Sequence, residues 1–229
     1  MSLIEQFQFN FLDDSRWQFI VSGLKNTIII TFFAVLLGVF LGFLIAIVRS
    51  THDKTGKLKI LNVICRVYLT VIRGTPTMIQ LLIMNFVIFG AVSINKIIVG
   101  GLAFGINSGA YVAEIVRSGI MSIDQGQFEA GRSLGLNYTQ TMTKIILPQA
   151  VKNILPALGN EMIVLLKETS ISGYIGLTDL TRGGDIIRSQ TYSALFPLLA
   201  VAAIYLVIVC FLTYLVGRLE RRLRNNERK

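Results

Sequence analysis

Few residues in this chain are equipped for chemistry, and their surroundings decide which kind. His52 is the only histidine and lies in a charged stretch, which leaves no base for a histidine-dependent nucleophile of an intramembrane protease. Cys65 and Cys210 stand far apart in apolar surroundings and read as small buried hydrophobes. No His/Cys cluster offers a metal site. What remains is a set of polar groups inside apolar stretches: Asn85, Asn107, Ser108, Tyr111, Glu114, Asn160 and Glu161. Asn107, Tyr111 and Glu114 fall at i, i+4 and i+7, one face of one helix. Such groups are costly within a bilayer and tend to face a cavity, so their chemistry is binding, with donors, acceptors and two negative charges. Each carboxylate also has a local alternative. Glu114 can pair with Arg117 at i+3, and Glu161 can bond Lys167 or backbone at its helix end.

The elements that must carry these groups are membrane helices. The chain has 229 residues, 53% hydrophobic and 15% charged, and a mean hydropathy of +0.64, far from a soluble composition. Its 22 Lys+Arg against 13 Asp+Glu cluster between long uncharged stretches, which excludes a nucleic-acid-binding surface. A crossing needs about 20 apolar residues, and uncharged runs at 26–48, 74–95, 97–113 and 189–217 qualify or nearly so. A weaker fifth candidate, 145–166, is interrupted by Lys152 and Glu161. Residues 58–72 are apolar but short and hold Arg66, as an interfacial elbow helix would. Basic residues crowd 49–59 (Arg49, Lys54, Lys57, Lys59), 117–152 (Arg117, Arg132, Lys144, Lys152) and the tail from Arg218, with Arg221, Arg222 and Arg224. Five crossings with the N-terminus outside place all three on the cytoplasmic side. The expected fold is therefore an all-α membrane protein of one domain, multi-pass in the cytoplasmic membrane. Residues 1–17 are too acidic for a signal peptide and form an aromatic lead-in at the interface; the basic tail holds the last helix in place or meets anionic lipid.

Small residues recur every fourth position in two runs: Ala34, Gly38, Gly42 and Ala46, and Gly101, Gly105, Gly109 and Ala113. Such ladders let membrane helices approach closely, with each other or with a second subunit. Thr75 with Pro76 suggests a helix restart after the elbow, which leaves Arg73 near the cytoplasmic mouth. Between the third and fourth crossings, about 117–148, Asp124 with Gln127 and Asn137 with Gln140 resemble capping boxes, and Gly135 supplies a stop between them. A short helix, a glycine corner and a second helix toward Pro148 follow, with Phe128, Ala130 and Leu134 exposed on the first. That surface suits a lid on the membrane or a docking face. Lys167-Glu168-Thr169-Ser170, at the outer end of the fourth crossing, suits an outer gate or a plain solvated pair.

Glu129-Ala130-Gly131, then Gly135, then Ile145-x-Leu147-Pro148 resembles the EAA loop of ATP-binding-cassette importer permeases, with Gly131 in place of an alanine, a departure that should loosen the helix slightly. Arg73-Gly-Thr-Pro76, Ser108-Gly-Ala-Tyr-Val-Ala-Glu114 and Leu165-Leu-Lys-Glu-Thr-Ser170 resemble the polar-amino-acid branch of that family. The resemblance implies a coupling helix docked on an ATPase through Asp124, Phe128, Glu129, Ala130, Gly131, Leu134, Gly135, Leu147 and Pro148. It implies a second permease subunit, identical or related, two ATPase subunits and an extracytoplasmic solute-binding protein, which Lys167–Ser170 and 178–188 are placed to touch. Lipid surrounds the assembly and an amino acid is its cargo, for which Glu114 and Glu161 would favour a basic side chain. The chain has no Gly-x-x-x-x-Gly-Lys-Ser/Thr phosphate loop, so ATP and Mg belong to the partner and this chain is expected to hold no cofactor and catalyse nothing. A secondary transporter, a channel subunit or an importer permease for another small polar solute are the competing expectations.

Overall fold

Residues 2–225 are described by a computed structural model, apart from the side chains of Lys54, Arg224 and Asn225. The basic tail from Arg224 onward thus lies largely outside the described residues. Every regular element within them is helical. A lead-in made of α1 (Leu3–Phe7), a π-turn and a 3-10 turn reaches α2 (Trp17–Thr55). Then come α3 (Lys59–Gly74), α4 (Thr77–Ile83, prolonged by the π-turn Met84–Ile88), α5 (Lys96–Met121), α6 (Gln125–Ser133) and α7 (Tyr138–Thr141). A π-turn at Met142–Ile146 leads into α8 (Leu147–Glu168), followed by the 3-10 segment Thr169–Ile175, α9 (Leu180–Thr191) and α10 (Leu195–Asn225).

Among the described residues three helices are long and apolar enough to cross a membrane, Trp17–Asp53, Lys96–Met121 and Leu195–Leu223, or four if the bent pair described below is one span. They are not equivalent. The apolar window of α5 is 67% buried against 11% for that of α10, so α5 is the axis of the bundle and α10 lies on its flank. Phe32, Phe33 and Phe40 on α2 and Leu206 and Phe211 on α10 point outward, as apolar side chains do when the surrounding solvent is lipid. Cys210 follows them. Expected to be buried, it is exposed because α10 turns most of its circumference away from the bundle.

The two small-residue ladders meet each other. Ala34 and Ala46 of α2 are buried. A Cβ built on Gly38 would stand 2.9 Å from that of Ser108, one on Gly42 would run into Val112, and one on Gly105 would stand 2.8 Å from Leu37. Close van der Waals contact is what holds membrane helices together where lipid offers no hydrophobic drive, and a side chain at these glycines would push the axes apart. The ladders are thus spent inside one chain.

The run 74–95 is helical only in part: helix covers Thr77–Ile88 and 89–95 is irregular before α5, whereas the elbow and restart ahead of it are made as expected. Segments Lys59–Gly74 and Thr77–Ile88 meet at a 109° bend. The 16-residue α3 is roughly 24 Å long, shorter than the ~30 Å hydrocarbon core. Pro76 sits one place before the helix rather than inside it, and Thr75 donates its hydroxyl backward to Val71 O. The corner is closed by Gln80, whose Nε2 donates to Ile72 O at 2.7 Å and to Thr75 Oγ1 at 2.8 Å. The weak candidate at 145–166 forms a continuous helix within α8, ~33 Å long for its 22 residues, but its polar residues keep it from qualifying as a crossing by composition. Pro148 does not stop it. The π-turn just before relaxes the ladder where a proline has no N–H to give.

Candidate functional site

The inner site is where α5 meets α8 and the α3–α4 corner. Ser108, buried on α5, donates its hydroxyl to Glu161 Oε1 on α8 at 2.8 Å. One residue earlier, buried Asn107 donates to Gln80 Oε1 at 2.9 Å. Gln80 thereby joins the corner it closes to the axis of the bundle, a part the sequence analysis missed. An amide four residues after Pro76 in an apolar helix was its available signal. Tyr111 lies under the Arg73 guanidinium, 5.8 Å from ring centre. Glu114 receives Arg117 at 3.1 Å, Arg73 at 3.6 Å and Arg49 at 3.9 Å. The i+3 alternative for Glu114 is therefore realised and enlarged, with the ends of α2 and α3 tied to α5 through one carboxylate. Glu161 instead keeps a neutral partner, with neither Lys167 nor backbone as its recorded hydrogen-bond partner. Glu168, seven residues on and on the same face, feels the charge of both Glu161 and Lys167. Asn85, in the π-turn after α4, and exposed Asn160 form no side-chain hydrogen bond among the described residues and join none of these contacts.

At one end stand α6 and α7. Asp124 caps α6 through Gly126 N at 2.7 Å. Gln127 does not complete the box as expected, because its side chain accepts from Gln149 of α8 at 3.3 Å. Gly135, at φ +75, forms the C-terminal stop with both paired bonds of that motif, Leu136 N to Gly131 O and Gly135 N to Arg132 O. Asn137 and Gln140 form the full reciprocal box. Gly131 does more than loosen the helix, since a Cβ there would come 2.6 Å from the buried Thr141 side chain. The glycine lets α6 lie directly on α7. Phe128 stacks on Tyr138, 6.2 Å between rings, and Tyr138 hydrogen-bonds Ser50 at the end of α2, while partial burial raises its pKa. Asn153 of α8 donates to Ser122 at 2.8 Å. Glu129, Ala130 and Pro148 stay exposed, Leu134 strongly so at 76%, and Leu147 is half-buried. The result is a doubly capped lever with a free outer face.

The 3-10 segment and α9 lie against the start of α2. Asn26 donates to Thr178 O at 2.8 Å, and Thr27 Oγ1 accepts from Leu180 N at 3.0 Å. Buried Asp179 caps α9 through Thr181 N and Arg182 N; burial raises its pKa, the bonds lowering it in part. Of the four residues placed at a gate, Lys167 is exposed and Glu168 and Ser170 are partly so, whereas Thr169 is fully buried and donates to Leu166 O.

The family model for the binding-protein-dependent transport system inner membrane component matches residues 38–225. The chain belongs to that family. A binding-protein-dependent permease of this kind is a multi-pass component of the inner membrane, which the apolar helices above fit. The arginine transport system permease protein ArtQ of Bacillus subtilis (strain 168) is 37% identical, over 91% of this chain and 94% of its own length. The glutamine transport system permease protein GlnP of Escherichia coli (strain K12) is 36% identical, over 90% and 93%. Among solved structures, an amino acid ABC transporter crystallised with histidines superposes with a TM-score of 0.84 at 44% identity, covering 93% of this chain and 98% of that one. The methionine ABC transporter MetNI, in an inward-facing conformation, superposes at 0.75 over 90% and 96%. At 21% identity it shows the shared fold alone.

Proposed function

We propose that this chain is the translocating subunit of an ATP-driven importer of polar amino acids, with basic side chains preferred. Two permease subunits pair, two ATPase subunits grip α6, and an extracytoplasmic binding protein delivers the solute. In this reading the N-terminus is outside, and α2, the α3–α4 pair, α5, α8 and α10 make five crossings. Sequence relatives that transport arginine and glutamine, and a structural relative holding histidines, support the solute class. The observation that carries the basic preference is Glu161. It is an intramembrane carboxylate whose recorded hydrogen-bond partner is a hydroxyl, with Glu168 near it, so its negative charge is available to a cation. Asn107 and Tyr111 extend the path, and Lys167, Glu168 and Ser170 stand where a gate or binding-protein contact would be. The lever formed by Asp124 to Gly135 and Leu147-Pro148 transmits ATPase closure. ATP and Mg act on the partner, and this chain catalyses nothing itself.

Proteoliposomes containing the chain, its ATPase and its binding protein test this reading. The expected result is arginine or histidine uptake that requires both ATP and the binding protein. Uptake that follows an ion gradient without ATP would instead establish a secondary transporter, and uptake of an unrelated solute alone would remove the amino-acid assignment.

A further inference from the structure

A second polar site lies where the end of α2 meets α3 and α5. It is an open cavity of about 450 Å³ lined by Arg49, Arg66, Leu69, Thr70, Arg73 and Glu114. Glu114 is the one acid on its wall, and Arg117 reaches the same carboxylate. Three guanidinium groups on the wall therefore share a single negative charge with a fourth, that of Arg117, from outside the cavity. The surplus is visible in unused donors. The buried Nε of Arg49 has no partner, and Arg66 forms no ion pair among the described residues. Planar guanidinium forks with spare N–H groups are suited to phosphate oxygens.

The neighbouring face of α3 is apolar. Ile60, Val63, Ile64, Val67 and Val71 are all more than half exposed and fall on one stripe at helical spacing. Arg66 and Arg73, seven residues apart, share a face beside it. Arg49 is the first charge after the uncharged run 26–48, so the cavity stands at the level where the hydrocarbon ends and headgroups begin. Basic pockets between membrane helices at that level receive anionic headgroups.

We propose that this cavity binds the phosphate of an anionic phospholipid whose acyl chain lies along the apolar stripe of α3. One molecule with a negative head and an apolar tail satisfies both halves of the surface, which a free anion does not. The proposal needs only that α2 crosses a bilayer and is independent of the solute carried.

The test is native mass spectrometry of the full-length chain in detergent, titrated with phosphatidylglycerol and, separately, phosphatidylcholine. Phosphatidylglycerol is expected to bind about tenfold more tightly, a difference of ~1.4 kcal/mol. Arg66→Gln, at an exposed position, is expected to erase most of that preference while leaving the melting temperature unchanged, and Arg66→Lys to retain part of it. Millimolar inorganic phosphate is expected to displace little bound lipid. Equal binding of the two lipids, an undiminished preference in Arg66→Gln, or Arg66-dependent binding of inorganic phosphate without any lipid preference would each overturn the proposal.

Discussion

Glu114 and Glu161 are both carboxylates within the helical bundle, and their surroundings are opposite. Glu114 is met by three guanidinium groups; Glu161 is met by one hydroxyl. The first has its charge consumed by the protein and serves as a clasp for the ends of α2, α3 and α5. The second meets no opposing charge and has a further acid, Glu168, on the same face of α8. Residue type alone therefore does not mark a solute site at this depth. In the proposed function the number of opposing charges does.

Four substitutions sharpen or break that contrast. Glu161→Gln is expected to lower uptake of arginine by more than about tenfold, or ~1.4 kcal/mol, with the complex still assembling; unchanged proteoliposome uptake would end the counter-charge role. Glu114→Gln is expected to destabilise the chain, leaving three guanidinium groups without their carboxylate at a cost of about 2 kcal/mol. It should lower the melting temperature by several degrees without altering solute preference, and a change in preference would erase the distinction between the two acids. Gly38→Ala adds a methyl 2.9 Å from Ser108 Cβ and is expected to cost about 1 kcal/mol. Because it pushes Ser108 off Glu161, it should also raise KM a few-fold, whereas Gly217→Ala, with open space around it, should leave stability and uptake alone.

A small effect is expected at Asp185, an acid outside the membrane helices that Arg188 and Arg182 bracket at 2.6 Å. The Arg188 hydrogen bond holds its carboxyl below the ordinary range. A depressed carboxylate contributes stability in full above its unfolded value and loses it as pH falls through the folded value. The melting advantage of the parent over Asp185→Asn should therefore be present at about pH 6 and fade below the ordinary aspartate value of about 3.9. An advantage that grows on acidification would show that arginine pairing has no such role there.

Much of the architecture was legible because it rests on local signals. Asn137, Gln140 and Gly135 announce a cap and a stop that the backbone then makes, and the four-residue spacing of Gly38, Gly42, Gly105 and Gly109 announces close helices. Local signals fail where a side chain has two places to go. Gln127 could close its own cap, yet it bonds Gln149, a residue on α8 that only the folded loop brings near. Gln80, Arg49 and Ser50 were silent for the same reason, since their partners lie on other helices. The run 74–95 misled because hydropathy reports composition and not conformation: 89–95 carries no charge, yet the helix ends at Ile88 and those residues are irregular. Gly131 looked like a weakened alanine in sequence; its value is set by Thr141 ten residues away.

The central claim is that the lever from Glu129 to Pro148 faces the cytoplasm and is held there by an ATPase. A single cysteine at position 129, in a background with Cys65→Ser and Cys210→Ser, probes it with a membrane-impermeant maleimide. The expected result is labelling in inside-out vesicles, none in right-side-out vesicles, and protection when the ATPase subunit is bound. Labelling from the outside, or undiminished labelling of the assembled complex, would contradict the account.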